Sequence, residues 1–103
     1  MIKRSLAVAH VNHEFVPEYI RLHNEIPAGL LEEYRKYGTI SISCFLDEDD
    51  ILYVYHEYDD SFADVRIPEN MPNDVVFQAM LEPGRDYSFK NKTPREVFRY
   101  DAE

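Results

Sequence analysis

Apolar and polar positions along this chain repeat with two different periods, and the changes of period mark out its elements. Ser5-Leu6-Ala7-Val8-Ala9-His10-Val11 is short and apolar, with Leu6, Val8 and His10 on one side, and predicts a strand. Pro17 suits the first turn of a helix. From Pro17 to Tyr37 the apolar residues Tyr19, Leu22, Ile26, Leu30, Leu31 and Tyr34 trace one helical face. Pro27 should kink that helix or split it near Glu25–Ile26, and Gly38 should end it.

Beyond Gly38 the period changes to two. Ile40, Ile42, Cys44 and Leu46 fall on one face and Thr39, Ser41 and Ser43 on the other, so Thr39 to Leu46 predicts a half-buried antiparallel strand. Asp47 to Asp50 is a turn, and Ile51 to Tyr58 returns as the second arm of a hairpin. Asp59 to Pro72 is irregular apart from a short helical piece at Ser61–Val65. Asn73 is placed to cap a helix running to Leu81. Pro83-Gly84-Arg85-Asp86 breaks the chain, and Glu96 to Tyr100 predicts a last strand. The order strand, helix, strand, strand, helix, strand is the ferredoxin-like βαββαβ arrangement. Its fold class is α+β, a four-stranded antiparallel sheet with the helices on one face.

Composition narrows this further. With 103 residues, 45% of them hydrophobic, the whole chain fits one domain with a genuine but thin core. Pairing with a second copy would relieve that thinness, and the eight tyrosines suit interfaces and polar pockets. The net charge of -9 repels phosphate backbones, which excludes nucleic acid as the expected partner. The single Cys44 rules out an intramolecular disulfide framework. No apolar run approaches the roughly 20 residues of a membrane span. The first residues carry no sustained apolar stretch or cleavage site, so a cytoplasmic location is expected.

Candidate chemistry centres on histidine. Tyr19 and His23 are four residues apart and so share the core-facing side of the first helix with Leu22, Ile26 and Leu30. One reading is a buried pair satisfied by its own hydrogen bonds. The other is a pocket between helix and sheet, where His23 transfers protons near neutral pH and Tyr19 holds a hydroxyl. His10 and His56 sit on even positions of the first and third strands. Were both even faces turned to the helices, three histidines would converge, to bind a polar substrate or to hold a metal. Asp47 to Asp50 lacks the spacing and glycine of an EF-hand and reads as a solvated turn. Glu32-Glu33 and Arg35-Lys36 read as helix-surface charges. Cys44 is expected in the sheet's apolar face as inert core. Arg66, Arg85 and Lys92 are loop cations able to rim a pocket.

The run Glu18-Tyr19-Ile20-Arg21-Leu22-His23-Asn24-Glu25-Ile26-Pro27 resembles the first-helix signature of the L-rhamnose mutarotases. The similarity continues through Leu30-Leu31, Gly38, Leu46-Asp47 and Glu57 and returns at Glu96-Val97-Phe98. The resemblance implies a homodimeric α+β barrel that interconverts the α and β anomers of a 6-deoxy sugar such as L-rhamnose or L-fucose, without a cofactor. His23 then matches the family's proton donor and Tyr19 a substrate-binding tyrosine. Ile42 stands where the family has a sugar-binding tyrosine, and Val76-Phe77 where it has tandem tryptophans. A hydrogen bond and a large aromatic surface are therefore missing, although Phe77 can stack on a sugar face. Tyr19, His10, His56 and an ordered water remain open as the second proton-transfer group. Two other readings use the same scaffold: a different dimeric-barrel enzyme such as a monooxygenase, with or without a metal, and a non-catalytic binding or regulatory module.

Overall fold

The structure of the chain is a computed structural model that describes residues 1–65 and 67–102. Strand β1 (Ile2–His10) leads through a short 3-10 piece into helices α1 (Val16–Asn24) and α2 (Leu30–Lys36). The hairpin of β2 (Thr39–Leu46) and β3 (Ile51–Asp59) follows, then two further 3-10 pieces and α3 (Pro72–Leu81). The sheet is antiparallel with β3 in the middle, in the order β1-β3-β2. This is a ferredoxin-like α+β fold, three of whose strands pair within the described chain.

The predicted break at Pro27 is a full division into two helices. Pro27 offers no N–H and disfavours helical geometry at Ile26, so α1 stops at Asn24. Gly29 restarts the helix with φ at 89°, a left-handed conformation that strains any residue with a side chain. A Cβ there would also lie 2.7 Å from the Asn73 amide nitrogen, so the glycine lets α2 and α3 approach closely.

That approach has a specific anchor. The Glu33 carboxylate accepts the backbone N–H of Asn73 (2.9 Å), the backbone N–H of Asp74 (3.0 Å) and the Asn73 side-chain amide (2.7 Å). Glu33 is therefore buried, not a surface charge, and it caps α3 from a different helix. Asn73, expected to be the cap, is instead a donor inside the first turn. Beside it the Tyr34 hydroxyl donates to Asp74 Oδ1 at 3.1 Å. Desolvation pushes the Glu33 carboxyl up, but the donors from Asn73 and Asp74 together outweigh it and hold it below the ordinary value.

The core lies between the helices and one sheet face. Tyr19 and Leu22 of α1, Leu30 of α2, and Phe77 and Leu81 of α3 meet Val11 and Leu52, with Ala9 and Val54 packed alongside. On β1 it is the odd positions that face the helices, so His10 belongs to the opposite side of its strand. On β3 the even positions face the helices, so His56 lies on the helix side, paired with Ile42 and Ser5. Between Thr39 and Ser41 a bulge shifts the register, turning Thr39 to the same side as Ile42.

Two expectations about the sheet are corrected. Strand β2 is exposed along most of its length, with Ile40 at 52% and Phe45 at 60%. Helices cover β1 and β3 but leave the inner face of β2 over open space, so Cys44 is exposed where a core position was expected. The predicted strand at Glu96–Tyr100 does not form. The chain pairs with the outer edge of β1 at Lys92 and Val8 (2.8 and 2.9 Å), then continues without helix or strand from 93 to 102. Arg4 holds this arm through a two-point contact with Glu96 (3.0 and 2.8 Å), while Val97, Phe98 and Tyr100 stand in solvent. No helix among the described residues is long and apolar enough to cross a membrane.

The Glu33 cap yields a signed prediction. A carboxylate held below its ordinary value of 4.5 stabilises the fold above that pH and loses its contribution as the pH falls through the depressed native value. Glu33→Gln should lower Tm by about 5 °C at pH 7. The gap should narrow as the pH is lowered below 4.5, as read by thermal unfolding across that range.

Candidate active site

A cavity of about 1080 Å³ opens between α1, α2, α3 and the inner face of β2, at the upper end of the range of roughly 300–1,000 Å³ for ligand sites. Its walls are mostly apolar, with Ile26, Ile40, Ile42, Val54 and Leu81 prominent. Polar groups enter from several sides, among them Tyr34 and Arg35 of α2, Thr39 and Ser41 of β2 and Gln78 of α3. Tyr19 and His23 come from α1, and His10, Arg85 and Asp86 come from the end of β1 and the loop after α3. A smaller cavity of about 240 Å³ adjoins it and shares Tyr19, His23, Cys44 and Leu52, so His23 stands between the two.

The local geometry places a proton on Nδ1 of His23. Its Nδ1 lies 2.9 Å from the Tyr19 carbonyl oxygen, one helical turn back. A carbonyl only accepts, so the proton is on Nδ1 and Nε2 is the reacting nitrogen. Two rings hold the imidazole in place. Tyr19 lies against it with centroids 4.3 Å apart, and Phe77 meets it edge-on at 5.1 Å and 73°. Phe77 is thus a wall of the site on the third helix, pressed on His23 itself.

Burial pushes the Tyr19 phenol well above its ordinary value, with the Cys44 thiol adding to the effect and the nearby Arg85 charge opposing it. Tyr19 therefore keeps its proton at neutral pH and acts as a hydrogen-bond donor, not a base. The Cys44 thiol is likewise raised by burial, although the Tyr19 hydroxyl donates to it and partly offsets this. Its residue surface is exposed at the cavity while its sulfur is turned toward Tyr19, and a raised thiol is a poor nucleophile. Arg85 is tied to Glu82 at 2.7 Å and to Gln78. Ser88 holds Asp86 below its ordinary carboxyl value through side-chain and backbone donors, with the His10 ring adding a smaller contribution.

Of the residues singled out in the sequence, Tyr19, His23, Ile42, Phe77 and His10 all line the larger cavity. Val76 does not. It is half exposed on the outer side of α3, because its neighbour Phe77 takes the inward position. His56 also stays outside the lining: its Nε2 is 3.4 Å from Thr39 Oγ1 and its ring stacks on Tyr58 at 4.9 Å. The three histidines therefore do not converge, and among the described residues no group of three or more metal-ligating side chains forms. Arg66 lies outside the described residues, and Lys92 is committed to the edge of β1. Asp86 was not singled out as a site residue. In sequence it is one acid in a Pro-Gly loop, and only the pairing of that loop with β1 brings it to the cavity.

A family model described as L-rhamnose mutarotase matches residues 4–99. The chain belongs to the L-rhamnose mutarotase family. That membership supports a sugar mutarotase, an isomerase-type activity, in the broad sense. Among curated proteins none matches in sequence. An L-rhamnose mutarotase from Formosa agariphila superposes with a TM-score of 0.69 at 16% identity, covering 96% of this chain and 99% of its own. A conserved protein from Methanosarcina mazei Go1 gives 0.60 at 22% identity, over 92% and 91%. A protein from Nitrosomonas europaea assigned as an antibiotic biosynthesis monooxygenase gives 0.63 at 8%, over 90% and 86%. Identities this low speak to the fold, which hosts more than one chemistry.

The state of Cys44 can be read directly. Its alkylation by iodoacetamide at pH 7.5, followed by mass spectrometry, should run several-fold slower than that of free cysteine. An equal rate would show that the thiol is not desolvated.

Proposed function

We propose that this chain is a cofactor-free aldose mutarotase of the cytoplasm, acting on a 6-deoxyhexose such as L-rhamnose or L-fucose with His23 as the proton-transferring residue. The observation that carries this reading is His23 itself. Its Nδ1 is committed to the Tyr19 carbonyl, its ring is clamped between Tyr19 and Phe77, and it lines a ligand-sized cavity.

The reaction needs few parts. A proton leaves the anomeric hydroxyl while another reaches the ring oxygen, and the C1–O5 bond opens to a free aldehyde. Rotation about C1–C2 and the reverse steps give the other anomer. His23 enters as the imidazolium, with Nδ1–H on the Tyr19 carbonyl, and its Nε2–H delivers the proton to the ring oxygen and recovers it on closure, while the protonated Tyr19 phenol donates to a sugar oxygen. Ile42 and Phe77 form an apolar surface suited to the C–H face and methyl group of a deoxy sugar. Val76 and His56 have no place in this reading.

A homodimer accompanies the proposal. The sheet face away from the helices carries Leu6, Val8, Phe45, Tyr53 and Tyr55, and the arm ends in Val97, Phe98 and Tyr100 at 82%, 81% and 79% exposure. Apolar surface of this extent is what a partner covers, and the two faces suit sheet-to-sheet packing of two copies with each arm reaching the other.

Exchange NMR on the anomeric protons of a panel of aldoses tests the activity. One sugar should exchange faster with wild-type protein than in buffer, and His23→Gln should reduce that acceleration by roughly 10²–10⁴-fold. If no sugar exchanges faster than in buffer, the family resemblance marks a scaffold without this activity. Light scattering at micromolar concentration should give the mass of two chains, and Val97→Asp with Phe98→Asp should shift it to one. A monomeric wild type would remove the dimer from the reading.

A further inference from the structure

A sugar offers a pocket hydroxyl oxygens and C–H faces, so a site that selects one needs fixed donors as well as apolar walls. Ile42 on β2 brings only an aliphatic side chain. Among the described residues, the charged side chains on the larger cavity are Arg35, Arg85 and Asp86. Arg35 is tied to Glu32 and turned outward, with 77% of its side chain exposed. Asp86 has Ser88 on one oxygen and the His10 ring beside the other. Arg85 remains.

Arg85 is fixed from the main chain outward. It forms a β-bridge with Val11, its carbonyl accepts the Asn12 side-chain amide at 3.3 Å, and its backbone N–H donates to the Glu82 carbonyl at 3.1 Å. Gly84 before it is buried, and a Cβ there would run into the Phe15 ring. In the side chain, Nη1 donates to Glu82 at 2.7 Å and Nη2 to Gln78 Oε1. The other end of the Gln78 amide donates to Asp74 Oδ1 (3.4 Å), which also accepts the Tyr34 hydroxyl (3.1 Å). Tyr34, Gln78 and Arg85 thus form a hydrogen-bonded line along one wall of the cavity. That line adjoins the reacting group. Gln78 follows Phe77, whose ring meets His23 at 5.1 Å, and the Arg85 charge is near enough to act on the Tyr19 phenol.

A guanidinium carries five N–H donors in a planar fork, more than Glu82, Gln78 and the nearby Tyr87 hydroxyl occupy. Its charge is already met. The Tyr87 hydroxyl, with Arg85 itself adding to the effect, holds the Glu82 carboxyl below its ordinary value, so Glu82 is ionised at neutral pH. An anionic ligand would meet Glu82, Asp86 and a chain of net charge -9, whereas neutral oxygens meet only donors. We infer that Arg85, positioned by Gln78, is a specificity-determining residue that donates from its fork to two adjacent hydroxyls of an uncharged sugar. The inference rests on the sugar reading above and gives it a substrate class: a monosaccharide with a free vicinal diol and no carboxylate or phosphate. The anomeric end is left to Tyr19 and His23. The diol is held alike in ground and transition states, so the contact sets affinity more than turnover.

The test reads binding and turnover separately, by saturation-transfer titration and anomer-exchange NMR. The probes are L-rhamnose, L-fucose, their analogues lacking one ring hydroxyl in turn, and galacturonate. Arg85→Gln should raise Kd and KM of the preferred neutral sugar roughly 10–100-fold, with kcat changed less than about threefold. Removing either hydroxyl of the pair should weaken wild-type binding by a similar factor and cost Arg85→Gln nothing further, a coupling that a purely structural arginine would not produce. Arg85→Lys keeps the charge beside Glu82 without the fork and should lose the same coupling. Gln78→Leu should raise KM by a smaller factor, and only for sugars that carry both hydroxyls. Binding within about threefold of wild type in both Arg85 variants overturns the assignment and leaves the mutarotase reading intact. Tighter wild-type binding of galacturonate than of any neutral sugar overturns it as well. If the wild type binds an aldose through Arg85 yet accelerates none, the mutarotase reading falls and the anchor stands; if it binds none, both fall.

Discussion

The arrangement of this molecule depends on a single buried carboxylate. Glu33 leaves water to receive three N–H donors at the start of α3, and the two backbone donors among them would otherwise be unmet groups at a helix end. Once capped, α3 is fixed against α2 and its direction across the sheet follows. Phe77 then lands on His23, Leu81 joins the core, and the chain leaves the helix at Glu82 already beside β1. Gly29 is the steric condition for the same contact, since any side chain there would push Asn73 away.

The cavity is a consequence of what the helices leave uncovered. Three short helices shelter β1 and β3, and the inner face of β2 remains as one wall of an open space. Its apolar residues are therefore exposed to a ligand volume and not packed into core, which explains a strand that is patterned for burial yet is largely accessible. Polar side chains line it from all three helices and from β2, and two groups of them carry the titratable chemistry. One is the α1 turn carrying Tyr19 and His23, and the other is the loop that brings Asp86 to His10. A mostly apolar chamber with a few convergent polar groups raises the strength of each electrostatic contact inside it.

Two departures from the family pattern, Ile42 and Phe77, fall on the cavity walls, the third, Val76, lies on the outer side of α3, and the turn that carries Tyr19 and His23 is spared. Ile42 and Phe77 line the cavity and exchange polar and indole surface for aliphatic and phenyl surface. Both changes touch how a sugar is gripped, whereas His23, Tyr19 and the main-chain oxygen that sets the His23 tautomer are kept. On the proposed mutarotase reading, a site altered in this way keeps its proton-transfer turn and favours substrates with more exposed C–H surface.

The local elements were legible in the chain because they rest on near-neighbour physics. The 3.6 and 2.0 periods, Pro27, Gly38 and the Asp47–Asp50 turn place the helices and the hairpin within a residue or two, and Tyr19 and His23 share a face whatever the tertiary fold. The pairings between distant segments were not legible. Glu33 read as surface charge because its donors lie 40 and 41 residues away. The bulge at Ile40 and the facing of β1 depend on register, which a slip of one residue inverts, so the turning of His10 away from the helices and the exclusion of His56 from the cavity lining were settled only by packing. The run at Glu96–Tyr100 has a strand's pattern and no strand's partner among the described residues: the sequence by itself sets what a segment is suited to form, and the tertiary structure decides whether an edge is there to receive it.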